Sequence, residues 1–230
     1  MYLPKLAKFS LAQKHILLRI DINTPLFNNA PLESPRFIEH SRTIKDLLKK
    51  KARVIILAHQ GRKGDKDYLP SLHQHAKLLR KHLKSKVIYI DDLFGHKAQR
   101  AIENLQAGRA LLLKNVRAYP DELKPYSSTN HYGSFCKQFD LYINDALSVC
   151  HRNQGSIILP PRYLASAAGP NLERELHALQ HLTFSSRSKI LLLLGGEKIQ
   201  DYLPLLSLLK HNNVTLAASG ILGNLLLIAK

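Results

Sequence analysis

Arginine recurs at matching places along this sequence. Arg19 stands in "LLRIDINTPL", Arg36 in "SPR", Arg62 in "AHQGR", Arg117 in "KNVRAY" and Arg152 in "INDALSVCHR". The guanidinium is a planar fork of donors that matches carboxylate and phosphate oxygens. Taken singly, each is most simply a solvated surface charge. Five converging on one edge would repel one another unless something anionic sat among them. Alternation in the first stretch places Arg19, Asp21 and Asn23 on one face of an extended segment. His59 precedes Arg62 by three residues. A cation, an anion, an amide and an imidazole side by side suit the binding of a small, polar, charged molecule.

The elements that carry these residues explain the convergence. Apolar runs at 15–20, 53–59, 86–90, 109–115 and 141–146 read as strands. Periodic stretches at 39–50, 71–83, 97–106 and 129–139 read as helices between them. Continuous Val, Ile and Leu in the runs predict strands buried on both faces, as in a parallel sheet. The expected fold class is α/β, a doubly wound Rossmann-like sheet. In such sheets ligands sit beyond the carboxyl ends of the strands, which is where Arg19, His59, Arg62, Arg117 and Arg152 fall. "ILPPRYLASAAGP" interrupts the rhythm, and an amphipathic helix follows over 171–182. A second α/β unit starts near Ser188, with strands at 189–196 and 214–219 and a helix at 201–211. Expected divisions are an acid-binding lobe over 1–165, a linker helix region over 166–187 and an incomplete unit over 188–230.

Composition narrows the class. The 230 residues are 45% hydrophobic and 22% charged, as in a globular soluble protein, and the net charge is +17. That surplus attracts polyanions in general: nucleic acid, anionic membrane or phosphorylated small molecules. The basic runs "KKKAR" and "RKHLKSK" lie on expected helices without interleaved aromatics, which argues against base stacking and a specific nucleic-acid partner. Cys136 and Cys150 belong to no C-x-x-C pair and read as two buried thiols in a reducing compartment. The first residues show no secretory signal pattern. The uncharged run Val214–Ala229 is short for a membrane span and is expected to form a buried strand followed by a buried helix. Glu173, His177 and His181 have a spacing that can hold zinc, but a solvated helix face explains them with fewer assumptions, and no metal site is expected.

In order and spacing, "RIDINTPL", "SPR", "AHQGR", "KNVRAY", "INDALSVCHR" and "LLLGGEK" resemble the phosphoglycerate kinase patterns R-x-D-x-N-x-P, D-x-R, S-H-x-G-R-P, E-N-x-R-F and N-D-A-F-x-x-x-H-R. The resemblance runs from about residue 9 to the end. It implies the N-terminal lobe of that family, cytoplasmic and glycolytic, with phosphoryl transfer between ATP and 3-phosphoglycerate. It further implies that Asp21 and Asn23 hold the substrate's hydroxyl and carboxylate region. His59, Arg62, Arg117 and Arg152 would surround its acid groups, with Arg19 in the basic patch. Arg36 would lie nearest the transferring phosphoryl group. Lys198 and Gly220 would serve Mg-ATP or Mg-ADP on the second lobe.

Several positions depart from the family pattern. Tyr202 stands for a second lysine in "GGEKIQDY", and Glu197 for a small residue. "ASGIL" keeps only Gly220 of three glycines. Gln154 replaces a histidine, Lys114 a glutamate and Lys63 a proline. These changes fall most heavily on the nucleotide side. The chain alone is therefore expected to be inactive or very weak, completed by a missing C-terminal lobe or a partner chain. The rival expectation is a non-catalytic module that binds phosphoglycerate or polyanions.

Overall fold

In the computed structural model, residues 4–84, 87–180, 189–195 and 203–228 are described. The chain divides into two compact units, Met1–Leu176 and His177–Lys230. The first is built on a six-stranded sheet with strand order β5-β6-β4-β1-β7-β8. Its strands are β1 (His15–Arg19), β4 (Arg53–Leu57), β5 (Val87–Tyr89), β6 (Ala110–Leu112), β7 (Leu141–Asn144) and β8 (Ser166–Ala168). All pairings within it are parallel. A two-residue turn at Asn28 and Asn29 joins the small antiparallel pair β2 (Leu26–Phe27) and β3 (Ala30–Pro31). Both asparagines adopt left-handed φ, 48° and 58°, as tight hairpin turns require.

Alternation along each strand sends side chains to two separate cores. Ile16, Leu18, Val54, Ile56, Ala110, Leu112, Leu141 and Ile143 pack on one face with Phe37, Ile44 and Leu47 of α1 (Pro35–Lys49) and Ala76 and Leu79 of α2 (His73–Leu83). Leu17, Ile55, Leu57, Leu111 and Tyr142 pack on the other. Their partners include Ala98 and Ile102 of α3 (His96–Glu103) and Tyr132, Phe135 and Cys136 of α5 (Tyr132–Cys136). Each fully buried aliphatic side chain contributes about 1.5–3 kcal/mol of transfer free energy, so both faces hold the sheet. This is the doubly wound architecture expected from the apolar runs.

The differences from expectation are local. The helix expected over 129–139 is confined to α5, because the Asn130 side chain turns the chain just before it, accepting the Tyr132 N–H at 2.9 Å. The stretch after β7 contains α6 (Gly155–Ile158), α7 (Pro160–Tyr163) and then β8, which joins the sheet beside β7. A four-residue helix, α4 (Pro120–Leu123), follows the Arg117 turn, and α8 (Pro170–Gln180) follows β8.

The second unit pairs β9 (Ile190–Leu194) with β10 (Val214–Ala218) in parallel, followed by α9 (Gly220–Ile228). Residues 203–210 are 3-10 rather than α-helical. The expectation of a buried strand and helix at 214–229 fails. β10 alternates between half-buried and exposed, and of α9 only Leu222 is buried. Two strands offer too little sheet to cover both faces, so Leu193 is 74% exposed and Leu227 73%.

Candidate functional site

Beyond β1 the backbone stays extended, and Ile20 and Ile22 remain fully buried in the α1 and α2 side of the core. Asp21 and Asn23 alternate with them. Asp21, 5% exposed, accepts the Asn23 N–H through Oδ1 at 3.0 Å. Its Oδ2 accepts from the Arg36 guanidinium and from Ser148 Oγ. Asn23 Oδ1 accepts the Gly61 N–H at 2.8 Å, which ties the ends of β1 and β4 together. Gly61 sits at φ +60°, where a Cβ would lie 2.4 Å from the Asp67 carbonyl oxygen, so only glycine fits this turn.

The arginines do gather, but not as equals. Arg36 and Arg62 are exposed, and Arg117 and Arg152 are half-buried. Arg117 donates from Nη1 to the Gly61 carbonyl at 2.8 Å, while its Nε–H is buried without a partner among the described residues. Burial, followed by the charges of Arg152 and Arg19, lowers its pKa to about 10. Arg19 lies deeper than the sequence suggests. It is fully buried, and its donors go to the Ile20 and Leu57 carbonyls, Ser156 Oγ and His59 Nδ1. It stands behind His59 rather than in the open patch. His59 is 4% exposed. Burial and then the neighbouring Arg19, Arg117, Arg152 and Arg36 hold its pKa well below the usual imidazole range. The result is a neutral ring inside a ring of cations, at the carboxyl edge of the sheet.

Several supporting residues gave no signal in the sequence. Gln60, fully buried, exchanges hydrogen bonds with the Thr24 backbone and reaches the Asp67 carbonyl and His75. His40 bridges two segments: its Nε2 accepts the Asp21 N–H at 3.2 Å, so Nδ1 carries the proton toward Asp145 Oδ2 at 2.9 Å. Asp145 in turn accepts from the Asn171 backbone and amide at 2.8 and 2.7 Å at the start of α8. His40 falls on the buried face of α1, among Phe37, Ser41, Ile44 and Leu47. A polar residue at an apolar position of the periodicity is the one clue that could have exposed it.

On the second unit Lys198 lies outside the described residues, as does Tyr202. Gly220 opens α9 at φ +61°, and with Ala218, Ser219, Gly223 and Asn224 it lines a hollow of ≈ 410 Å³. The Glu173, His177 and His181 spacing cannot be weighed as a set, because His181 is outside the described residues. Among those described, no group of three or more His, Cys, Asp or Glu side chains is arranged to hold a metal ion. Nor is any described helix long and apolar enough to cross a membrane. Of the two cysteines, Cys136 is buried as expected, but Cys150 is exposed, with its Sγ between Asn144 Nδ2 and the Ala146 carbonyl.

Comparison with known proteins gives a consistent result. A model of the phosphoglycerate kinase family matches residues 6–230. The phosphoglycerate kinases of Saccharolobus solfataricus and Archaeoglobus fulgidus are each 36% identical over 99% of this chain, which covers 58% and 57% of their lengths. The crystal structure of the Pyrococcus horikoshii phosphoglycerate kinase superposes with a TM-score of 0.91 at 29% identity, covering 98% of this chain and 57% of that one. The Coxiella burnetii phosphoglycerate kinase structure gives 0.75 at 28% identity. The chain thus spans a little over half the length of the relatives it matches.

Proposed function

The chain belongs to the phosphoglycerate kinase family, and from that premise we propose that its first unit is the acid-binding half of a phosphoryl-transfer site. In this reading Asp21, Asn23, His59, Arg62, Arg117 and Arg152 hold 3-phosphoglycerate, and Arg36 faces the phosphoryl group in transit. Arg19 acts from behind through His59. In this reading the reaction is 1,3-bisphosphoglycerate + ADP = 3-phosphoglycerate + ATP, a step of glycolysis, and the protein would work in the cytoplasm.

The observation that carries the reading is Arg117. A buried, charged donor without a partner is costly, and here it stands beside Arg152 and a neutral His59. A bound acid supplies the negative charge that this cluster of cations lacks. Asp21 has a matching role. Once the ligand draws Arg36 away, the freed carboxylate oxygen accepts from the ligand's hydroxyl. Arg36 is then available to stabilise charge on the moving phosphoryl oxygens, the main task in this chemistry.

On the nucleotide side, the hollow lined by Ser219 and Gly220 lies at the start of α9, and a helix N-terminus is a suitable seat for a phosphate group. Gly220 would line it, with Lys198 neutralising the group in transfer. When bound, Mg-ATP supplies the phosphoryl group. Transfer requires both reactants held in line, and misplacement by about 1 Å can cost a hundredfold. The 230 residues therefore turn over weakly or not at all by themselves, and a further lobe or partner chain completes the cleft. The net charge of +17 favours one second reading, a non-catalytic binder of phosphoglycerate or polyanions.

Calorimetry with 3-phosphoglycerate on the wild type, Arg36→Ala and Arg152→Ala tests the site. Weaker binding by both variants is expected. Equal binding by all three proteins would remove the arginines from it. A coupled assay with ATP, magnesium and 3-phosphoglycerate tests activity, and ordinary turnover lost on Lys198→Ala would overturn the expectation of a weak enzyme.

A further inference from the structure

Behind the arginine cluster runs a line of buried polar side chains that faces no solvent. Glu122 in α4 is fully buried and accepts three hydrogen bonds. They come from the Ser156 N–H at 2.8 Å, from Ser156 Oγ at 2.8 Å and from the Tyr132 hydroxyl at 3.0 Å. A serine hydroxyl has one proton. Here it is committed to Glu122, so toward Arg19 the same oxygen can only accept, and it takes the Arg19 Nε–H at 3.1 Å. A guanidinium has donors and no acceptor. Arg19 therefore donates to His59 Nδ1, at 3.1 Å. That fixes the direction of every bond in the line and leaves the imidazole one arrangement, with Nδ1 bare and Nε2 protonated.

We propose that Glu122 and Ser156 are positioning residues that lock Arg19 in place and, through it, hold His59 as a neutral ring with its proton on Nε2. This goes one step beyond the acid-binding role proposed for His59 and gives that role its chemistry. An acid's oxygens are acceptors, so a ring that offers an acceptor would be useless to them. A ring free to flip between tautomers would be right only part of the time. The line removes that freedom before any ligand arrives. Glu122 is suited to its far end: it accepts from three donors, and its negative charge stands one hydroxyl away from a fully buried guanidinium. The charges that act most strongly on the ring are Arg19 from β1, Arg117 after β6, Arg152 after β7 and Arg36 from α1, all cationic. They disfavour protonation, while the line chooses the tautomer.

The test reads the ring directly, without ligand. Long-range proton–nitrogen NMR spectra of histidine-labelled full chain, recorded from pH 5.5 to 8, distinguish the two neutral tautomers and the charged form. The His59 signals are assigned by their loss in His59→Gln. Wild-type His59 should show only the Nε2–H form throughout, while His40, whose Nε2 accepts the Asp21 N–H, shows the opposite tautomer as an internal contrast. Ser156→Ala and the milder Glu122→Gln should mix the His59 tautomers and leave the His40 pattern unchanged. Ser156→Ala should also weaken 3-phosphoglycerate binding by about three- to tenfold. A wild-type His59 protonated on Nδ1, or titrating near 6.5, overturns the proposal whatever the variants do. So does an unmixed tautomer in both variants if they fold. If the spectra follow expectation but wild type binds no 3-phosphoglycerate, the lock stands and the proposed ligand falls.

Discussion

Replacing Arg152 by glutamine should raise the stability of the empty protein and lower its affinity for an acid. Among the described residues the Arg152 guanidinium makes no hydrogen bond, and its charge presses on His59 and Arg117. Removing a half-buried like charge from such a group relieves on the order of 1 kcal/mol, after allowance for screening by water. For a unit of this size that is a rise of roughly 2–4 °C in melting temperature. The ligand experiment runs the other way. One charge-assisted contact is worth about 1.5–3 kcal/mol, or ten- to more than a hundredfold in Kd. At a ligand concentration near 100 times the wild-type Kd, 3-phosphoglycerate stabilises the wild type by about 2.7 kcal/mol and the variant by about 1.4 or less. The two melting curves should therefore exchange order when ligand is added. Salt at about 1 M, where the screening length falls to about 3 Å, should shrink the difference between the empty proteins. A variant that melts below the wild type without ligand, or gains as much from it, would refute the argument that the cluster is strained by its own charge and relieved by an anion.

Other outcomes follow from the same structure. Buried His75 has its pKa lowered to about 4 by desolvation, from 6.5. As pH falls below 6.5 the unfolded chain takes up a proton the folded one refuses, so roughly 3 kcal/mol of stability should be lost by about pH 4. Urea midpoints across pH would show this, and His75→Leu should remove that share of the loss while the share from His59 remains. A Cβ on Gly169 would lie 2.2 Å from Asp145 Oδ1, so Gly169→Ala should cost about 1–3 kcal/mol in thermal melts, and an unchanged melt would deny that close approach. His40→Ala leaves the buried Asp145 carboxylate short of a donor and should destabilise by roughly 1–3 kcal/mol in urea titrations. Binding to duplex DNA should vanish at physiological salt, with a slope of about −0.9 per phosphate neutralised; a tight complex that persists would favour the polyanion reading.

The fold was legible wherever one strong pattern decided it. The runs around Leu17, Ile55 and Leu111 could only be strands buried on both faces, and α1 and α2 carry clear helical periodicity. The placement of Arg62, Arg117 and Arg152 at one edge followed from strand ends alone, while Arg36 reaches it from the start of α1. What escaped depends on partners distant in sequence. Nothing near Glu122 announces Ser156, and nothing in "HILLR" tells that Arg19 turns inward to carbonyls instead of outward to a ligand. The Asn28–Asn29 hairpin left a local trace, two residues tolerant of left-handed backbone, but too short a one to outweigh its surroundings. Burial in the second unit was misjudged because an apolar run says what a segment seeks to cover, while coverage depends on how many strands lie beside it.

The strand order has a consequence for synthesis. β1 is the first strand of the large sheet to be made, yet it lies inside the sheet between β4 and β7. β4 follows soon after, but the β7 side waits: the His15 N–H bonds to Asp140, 125 residues later. At translation rates of about 5–20 residues per second, that wait lasts roughly 6–25 s. For that time one edge of an Ile16-Leu17-Leu18 strand keeps its backbone donors and acceptors open, the condition under which strands pair with the wrong chain. Ribosomes queued on one message would hold several such edges close together. A nascent chain halted between β6 and β7 is thus the species on which a holding chaperone would act, and slower translation through that interval would lengthen its exposure.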